Sequence, residues 1–186
     1  MNNDLTHGSV LKTMIRFSLP FLLSYFLQTL YGMADLFVIG QFESADGTTA
    51  VSIGSQVMHM LTVMTVGLAM GVTVSIGQAT GAGNSEKAKK AVGNTVTLFT
   101  ALSVAGACVL LLCTNTIVRV ISTPDEAVEG TKKYLIICFI GIPFIVAYNI
   151  ISSVFRGLGD SKTPMYFIAA ACAANIALDF LFMGAF

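Results

Sequence analysis

Residues 14–40 read MIRFSLPFLLSYFLQTLYGMADLFVIG, and this stretch decides the class of fold. Its only charged residues are Arg16, near the start, and Asp35. About 20 apolar residues are enough for a helix to cross a bilayer. The stretch is too long, and ends too late in the chain, for a cleaved signal peptide. It therefore predicts a membrane-spanning helix near the amino terminus.

Four more apolar stretches of similar length follow the first one. They cover residues 50–79, 91–115, 134–155 and 164–186. Each is far longer than the roughly ten-residue alternating segment that is typical of a membrane β-strand. Pro20 and Pro143 fall inside two of the five stretches, where membrane helices tolerate proline. The pattern predicts an all-α integral membrane protein with five transmembrane helices.

The composition excludes most other classes of protein. Of the 186 residues, 55% are apolar and 11% are charged, and the mean hydropathy is +0.80. A soluble domain carries about 25% charged residues, and a disordered chain combines low hydrophobicity with high charge. Ten basic residues against ten acidic ones leave no net charge, which argues against a nucleic-acid partner. The lipid bilayer is the partner that this composition requires.

The sequence holds no signature of a catalytic centre. It lacks the G-x-S-x-G, H-E-x-x-H and P-loop patterns. Its four cysteines lie in apolar stretches and form no C-x-x-C pair, so neither a zinc site nor a disulfide framework is predicted. We therefore expect a protein that is not an enzyme and has no cofactor. Any transport would draw on an ion gradient.

The distribution of Lys and Arg predicts the orientation. The amino-terminal segment, the second connection and the fourth connection must share a side of the membrane. They hold seven of the ten basic residues: Lys12, Arg16, Lys87, Lys89, Lys90, Arg156 and Lys162. Basic residues are enriched on the cytoplasmic side. The amino terminus is therefore predicted to be cytoplasmic. In the third connection, Ser122 or Thr123 as a cap, followed by Pro124 and two acids, predicts a short interfacial helix.

Two acidic residues fall within the predicted spans at matching depth. Asp35 lies about six residues, roughly 9 Å, below the outer end of the first span. Asp179 lies fifteen residues into the fifth span, roughly 22 Å across a core about 30 Å thick. Both therefore belong to the outer half of the bilayer. Two carboxyl groups at one depth can share a site.

Asn175 adds an amide to this pair, because it precedes Asp179 by four residues and shares its helical face. Two close carboxylates repel each other when both are ionised, which favours uptake of a proton or a cation. The three residues therefore suit a proton or sodium site. A structural hydrogen bond to a neighbouring helix is the alternative, although intramembrane acids are rare and usually functional.

Other polar and small residues within the spans have two interpretations. Gln28, Tyr31 and Asp35 share one face of the first span, and Asn149 lies in the middle of the fourth. They line a cavity, or they join helices through hydrogen bonds. Four methionines of the second span form an adaptable pocket wall or face lipid: Met58, Met60, Met64 and Met70. Two G-x-x-x-G pairs, Gly67 with Gly71 and Gly77 with Gly81, predict close helix packing.

Several local motifs, in order and in register, together resemble one family over essentially the whole chain. They are LP at 19–20, QTLY at 28–31, DLFVIG at 35–40, GQATGAGN at 77–84, KKAVG at 89–93, FRGLGDSKTP at 155–164 and NIALD at 175–179. The set is similar to the MATE (multidrug and toxic compound extrusion) transporters, in their DinF-like bacterial branch. The resemblance implies twelve helices in two six-helix lobes, of which this chain holds helices one to five of the amino-terminal lobe.

The resemblance also implies an activity and the residues that carry it. Cationic or amphipathic drugs would leave the cell across the bacterial cytoplasmic (inner) membrane in exchange for protons or sodium ions. The coupling site would consist of Asp35, Asn175 and Asp179, which would also be the metal ligands if sodium is the coupling ion. Pro20 matches the position where helix one bends. Gln28 and Asn149 match positions that face the cavity of the lobe.

Two other functions stay open at this point. Phe186 follows an apolar run without a polar anchor, so we expect the chain to be part of a longer protein whose carboxy-terminal lobe is needed for full function. A truncated gene would instead give a non-transporting membrane fragment. A flippase for lipid-linked substrates is the other alternative, and it would be expected to carry more basic residues in its cavity.

Overall fold

The computed structural model describes residues 9–42 and 44–184, and within them it contains helices and no strand. The five α-helices are α1 (Val10–Phe42), α2 (Ala45–Gly81), α3 (Ser85–Val120), α4 (Val128–Gly157) and α5 (Lys162–Gly184). All five are long and apolar enough to cross a membrane. The prediction of an all-α membrane protein with five spans is confirmed.

At each connection the helices extend past the apolar stretches, so the connections are shorter than the sequence suggested. Ser44 caps α2 by accepting a hydrogen bond from the backbone of Gly47 at 3.2 Å. Asn84 caps α3 in the same way, accepting from the backbone of Lys87 at 2.9 Å. Gly83 has a φ of +68°, which lets three residues turn the chain between α2 and α3. The basic residues of this region therefore lie on the first turns of α3.

The connection between α3 and α4 differs from its prediction. Asp125–Ala127 form one turn of 3-10 helix that runs directly into α4, so there is no separate interfacial helix at this point. The backbone N–H of Ala127 bonds to the Pro124 carbonyl at 2.9 Å, and no side chain caps the turn. Thr123 does not act as the cap, because its hydroxyl is buried without a hydrogen-bond partner in the described chain.

Two groups of helices make up the bundle. α4 lies at the centre of the first group and packs along α2 and α3, which also contact each other. α1 and α5 pack against each other as the second group and make much smaller contacts with α2 and α4. The buried core belongs to the first group, with Ile76, Leu135 and Phe139 fully enclosed. Large apolar side chains cover the outside, as a lipid environment requires.

Glycines let α2 and α4 approach closely, and one of the four predicted glycines takes part, since a Cβ at Gly77 would lie 3.6 Å from the Gly157 carbonyl oxygen. A Cβ at Gly157 would lie 2.8 Å from Ile76 Cβ and 3.0 Å from the Thr73 carbonyl oxygen. A Cβ at Gly54 would overlap the Tyr134 ring. By contrast, a Cβ at Gly67 meets nothing, and the same holds for Gly71 and Gly81. The prediction of close packing at those three is wrong within this chain, because their faces of α2 point away from α4.

Candidate functional site

The pairing of α1 with α5 positions the acidic residues. The Cys172 thiol of α5 lies 3.8 Å from the Leu27 carbonyl oxygen of α1, which sets the register of the two helices. Asp35 follows Leu27 by eight residues, and Asp179 follows Cys172 by seven. At 1.5 Å per residue the two acids lie about 12 Å and about 10.5 Å beyond this contact. Because α1 and α5 run in the same direction, both acids reach the same height.

The carboxyl groups of Asp35 and Asp179 are close enough for their charges to interact. The Tyr31 hydroxyl is also close enough to interact electrostatically with the carboxyl groups of Asp35 and Asp179. Asp35 and Asp179 are half-buried rather than open to the surface. Among the described residues, no hydrogen bond joins Asp35 directly to Asp179 or Asn175, so contact through a shared ion stays a prediction.

Two oxygen atoms on α5 have no hydrogen-bond partner within the described chain. They are Oδ1 of Asn175 and Oδ2 of Asp179, and both are inaccessible to solvent. Four residues separate them, so they lie one helical turn apart on the same face. Buried polar atoms nearly always have a partner, and a bound water molecule or ion is the usual partner when the protein supplies none.

The predicted cavity residues occupy different environments. Gln28 is exposed, one turn before Tyr31 and on the same side of α1 as Asp35. Asn149 is buried, and its side-chain amide donates to the Ile145 carbonyl oxygen of its own helix at 2.9 Å. The side-chain oxygen of Asn149 can still accept a bond from a ligand, and the second N–H of the amide can still donate one.

Pro20 lies inside α1, and the helix continues past it. The Ser24 hydroxyl, which is buried, donates to the Pro20 carbonyl oxygen at 2.8 Å. The next residue is Phe21, and the centre of its ring lies 4.9 Å from the guanidinium carbon of Arg156, a residue of α4. A guanidinium at this distance over an aromatic face is attracted to the ring. The carboxy-terminal end of α4 is therefore joined to α1 beside the proline.

The sequence carried no signal for the Arg156 contact. Arg156 directly follows the fourth apolar stretch, and the sequence alone therefore places it in the connection. In the structure α4 continues to Gly157, and Arg156 is a half-buried residue of its last turn. It also donates a hydrogen bond to the Ser153 hydroxyl at 3.0 Å.

A second unforeseen pair joins α2 and α4 near Asp35. The hydroxyl groups of Ser55 and Tyr134 are 2.9 Å apart, and Tyr134 is within electrostatic range of Asp35. No spacing in the sequence connects two residues that are 79 positions apart. In the part of the chain that the structure describes, no three His, Cys, Asp or Glu side chains cluster so that they could hold a metal ion.

The sequence was compared with protein families and with known proteins, and the matches agree on one family. The profile of the MatE family matches residues 20–181. The chain is 35% identical over 170 residues to the probable multidrug resistance protein YoeA of Bacillus subtilis, covering 91% of this chain and 37% of that protein. It is 33% identical over 183 residues to the probable multidrug resistance protein YpnP of the same organism, covering 98% of this chain and 41% of that protein.

Solved structures give the same result. The fold matches a MOP superfamily transporter from Pyrococcus furiosus with a TM-score of 0.90 and 26% identity, over 97% of this chain and 40% of that one. It matches equally well, with the same TM-score, identity and coverage, a structure described as the outward-facing conformation of a multidrug resistance MATE family transporter. The chain spans about 40% of the length of the relatives that it matches. These relatives are membrane transporters and not enzymes, and the chain belongs to the MatE family.

Proposed function

We propose that this chain is part of a cation-coupled antiporter that exports organic compounds across the bacterial cytoplasmic membrane. Its relatives are named as multidrug resistance proteins, which supports drug-like substrates. Since the chain spans about 40% of them, it would supply helices one to five of the amino-terminal lobe. The carboxy-terminal lobe would then be its partner in full function. The coupling ion is a proton or a sodium ion.

The observation that carries this proposal is the pair of unpartnered oxygens on α5, beside Asp35 of α1. Asn175 Oδ1 and Asp179 Oδ2 are buried without donors in the described chain. An unpaired buried carboxylate is costly, and the cost falls when a proton or cation binds. A purely structural bundle has no need of two acids at one height. Paired acids with empty acceptors are what an ion-coupling site requires.

Coupling follows from the position of this site on α1 and α5. When the site is empty, the carboxylates of Asp35 and Asp179 repel each other. Loading with an ion removes the repulsion and lets α1 pack differently against α5, with the bend at Pro20. A cavity beside Gln28, Tyr31 and Asn149 would then change its affinity for the drug. Ion uptake and drug release are linked because each ligand binds the two conformations unequally.

The charge of the bundle bears on the substrate. Within the described helices no Lys or Arg lies near the middle of a span, and Arg156 stands at the end of α4. Acidic residues without nearby bases favour cationic, amphipathic or neutral substrates over anionic ones. A flippase for anionic lipid-linked substrates would need basic residues at mid-depth, so the present arrangement favours the antiporter.

Substitution of the two acids tests the proposal. In everted vesicles from cells that express the complete transporter, Asp35→Asn should abolish gradient-driven uptake of a cationic dye. Asp179→Asn should be nearly as harmful, because each change keeps the shape and removes the titratable charge. Asp46→Asn, an exposed acid in the first turn of α2, is the matched control and should transport normally. Immunoblots should show equal amounts of each variant in the membrane. Unchanged transport by both site variants would show that the acids are structural.

A further inference from the structure

The two helix groups of the bundle meet only loosely, and the side chain of Arg156 is one of the links between them. Within residues 9–42 and 44–184, no Cα of α1 lies within 8 Å of a Cα of α4. Arg156 nevertheless reaches from the last turn of α4 to α1, where its guanidinium carbon lies 4.9 Å from the centre of the Phe21 ring. Both partners belong to this chain, so the contact does not depend on the rest of the transporter.

The surroundings of Arg156 leave the Phe21 ring as the main partner of its charge. The guanidinium donates one hydrogen bond, from Nη2 to the Ser153 hydroxyl at 3.0 Å, and its Nε is buried without a partner in the described chain. No carboxylate among the described residues forms an ion pair with it. A half-buried guanidinium without an acid gains more from an aromatic face than an exposed one, because less water screens the charge.

The Phe21 ring is held in a fixed orientation by its own helix. It packs against the Tyr25 ring one turn further along α1, with the ring centres 5.0 Å apart and the planes at 83°. Aromatic pairs favour this edge-to-face arrangement. Phe21 is itself half-buried. The guanidinium therefore meets one defined turn of α1 rather than a mobile side chain.

This turn of α1 is also where the helix bends most easily. Pro20 has no N–H, so the carbonyl of Arg16 loses its usual hydrogen bond within the helix. The Ser24 hydroxyl donates to the Pro20 carbonyl oxygen at 2.8 Å, a kind of bond that often bends helices. The weakened segment therefore covers residues 16–24, and Phe21 lies inside it.

We propose that Arg156 is a positioning residue for coupling, which fixes α1 to α4 at Phe21 so that the part of α1 carrying Asp35 swings about this point. The proposal rests on the antiporter function proposed above. Asp35 follows Phe21 by fourteen residues, so a rotation of about 10° about Phe21 would move Asp35, about 21 Å away, by about 4 Å. Without this anchor, repulsion between the acids would displace α1 as a whole and produce less movement at Asp35.

Distances between pairs of spin labels measure the anchor separately from the response to the ion. The complete transporter, in a cysteine-free background and in lipid nanodiscs, carries either an inner pair at Arg16→Cys and Lys87→Cys or an outer pair at Gln41→Cys and Arg119→Cys. Lys87 and Arg119 lie in the first and last turns of α3, which packs against α4. Pulsed electron–electron double resonance gives each distance distribution in two conditions: loaded, at low pH or with sodium ions, and empty, at high pH without sodium.

The inner pair should give one narrow distribution in both conditions, whereas the outer pair should change on loading. Arg156→Gln removes the charge and should broaden the inner distribution, raising the displaced fraction by up to about tenfold, as loss of a partly desolvated cation–π contact does. Phe21→Leu should have the same effect, and it keeps the test decisive if Arg156→Gln does not fold. Phe21→Tyr retains an aromatic face and should keep the distribution narrow. Lys90→Gln, an exposed base on α3 outside the contact, is the matched control.

An inner distribution that stays narrow in both Arg156→Gln and Phe21→Leu would overturn the proposal, even if both variants unfolded at a lower temperature. So would broadening in only one of these two folded variants, or equal broadening in Phe21→Tyr, because the ring face would then not be what holds Arg156. If the outer pair of the unsubstituted protein did not respond to the ion, the proposed coupling would fail. The inner pair would still decide whether Arg156 anchors α1.

Discussion

At the scale of single residues, Asp160, which lies outside the spans, accepts hydrogen bonds through both of its carboxylate oxygens. Its Oδ1 accepts hydrogen bonds from the backbone of Lys162 and Thr163, both at 3.0 Å, and its Oδ2 accepts from the Thr163 hydroxyl at 2.6 Å. These bonds hold the first turn of α5, the helix that carries Asn175 and Asp179. Partial burial acts to raise the pKa of Asp160, but the hydrogen bonds from Thr163 and Lys162 outweigh it and lower the pKa.

The lowered pKa of Asp160 gives a pH dependence with a definite sign. The unfolded chain titrates near pH 4 at an aspartate, so the stability from Asp160 is fully present above about pH 4. It is lost as the pH falls through the lower pKa of the folded state. Asp160→Ala should cost about 1 kcal/mol at neutral pH, as loss of a helix cap does.

The measurement for Asp160 is reversible unfolding in mixed micelles followed by circular dichroism at pH 7 and below pH 4. The difference between the original chain and Asp160→Ala should shrink in acid. Asp125→Ala, in the connection at the opposite ends of the helices, is the control for general effects of removing an acid. An equal loss at both pH values would mean that the charge of Asp160 contributes nothing to the cap.

At the scale of helices, the contact between α2 and α4 depends on glycines at both of its ends. Gly54 faces the Tyr134 ring near the start of both helices, and Gly157 faces Ile76 near their ends. Thr73 reinforces the second contact, donating to the Ser153 carbonyl oxygen at 3.1 Å. Contacts at matching ends show that α2 and α4 run in the same direction. Small residues are the usual device for close helix contact in membranes.

Gly157→Ala should therefore destabilise the bundle although alanine favours helix. The added methyl group would meet Ile76 and the Thr73 carbonyl, and overpacking costs about 1–3 kcal/mol against a gain of about 1 kcal/mol in helix propensity. Gly54→Ala should act in the same direction by displacing the Tyr134 ring. Unfolding in sodium dodecyl sulfate measures both.

Gly67→Ala is the matched control for these variants, because it lies on α2 and its Cβ meets nothing. It should leave stability unchanged or slightly raised. If Gly157→Ala and Gly67→Ala behaved alike, the close approach of α2 and α4 would not be a source of stability.

At the scale of the whole molecule, the orientation in the membrane is set by charge. The positive-inside rule predicts a cytoplasmic amino terminus, which places the α1–α2 connection outside and the α2–α3 connection inside. In a cysteine-free background, Ser44→Cys in intact cells should react with a membrane-impermeant maleimide. Glu86→Cys should react only after the cells are permeabilised. Both residues are exposed in the structure, so access to the reagent depends on the side of the membrane. The reverse pattern would overturn the topology.

Much of the fold followed from local sequence. Five apolar stretches of span length can only be helices in a bilayer, because every backbone polar group must find its partner within the segment. The matching height of Asp35 and Asp179 was also predictable, since a constant rise per residue turns sequence distance into depth. Helix ends were less accurate. α3 begins at Ser85 because Asn84 caps it, whereas the apolar stretch alone suggested residue 91.

What the tertiary structure decided was the choice of neighbours. Hydrophobicity does not distinguish lipid from another helix, so the sequence alone does not indicate which face of α2 meets α4. The close contacts fell at Gly54 and Gly157 rather than at the G-x-x-x-G pair of Gly67 and Gly71. Arg156 reached Phe21 across 135 residues for the same reason. Periodicity and spacing fix the span and depth of each helix, but rotation and pairing depend on how side chains from distant segments fit together.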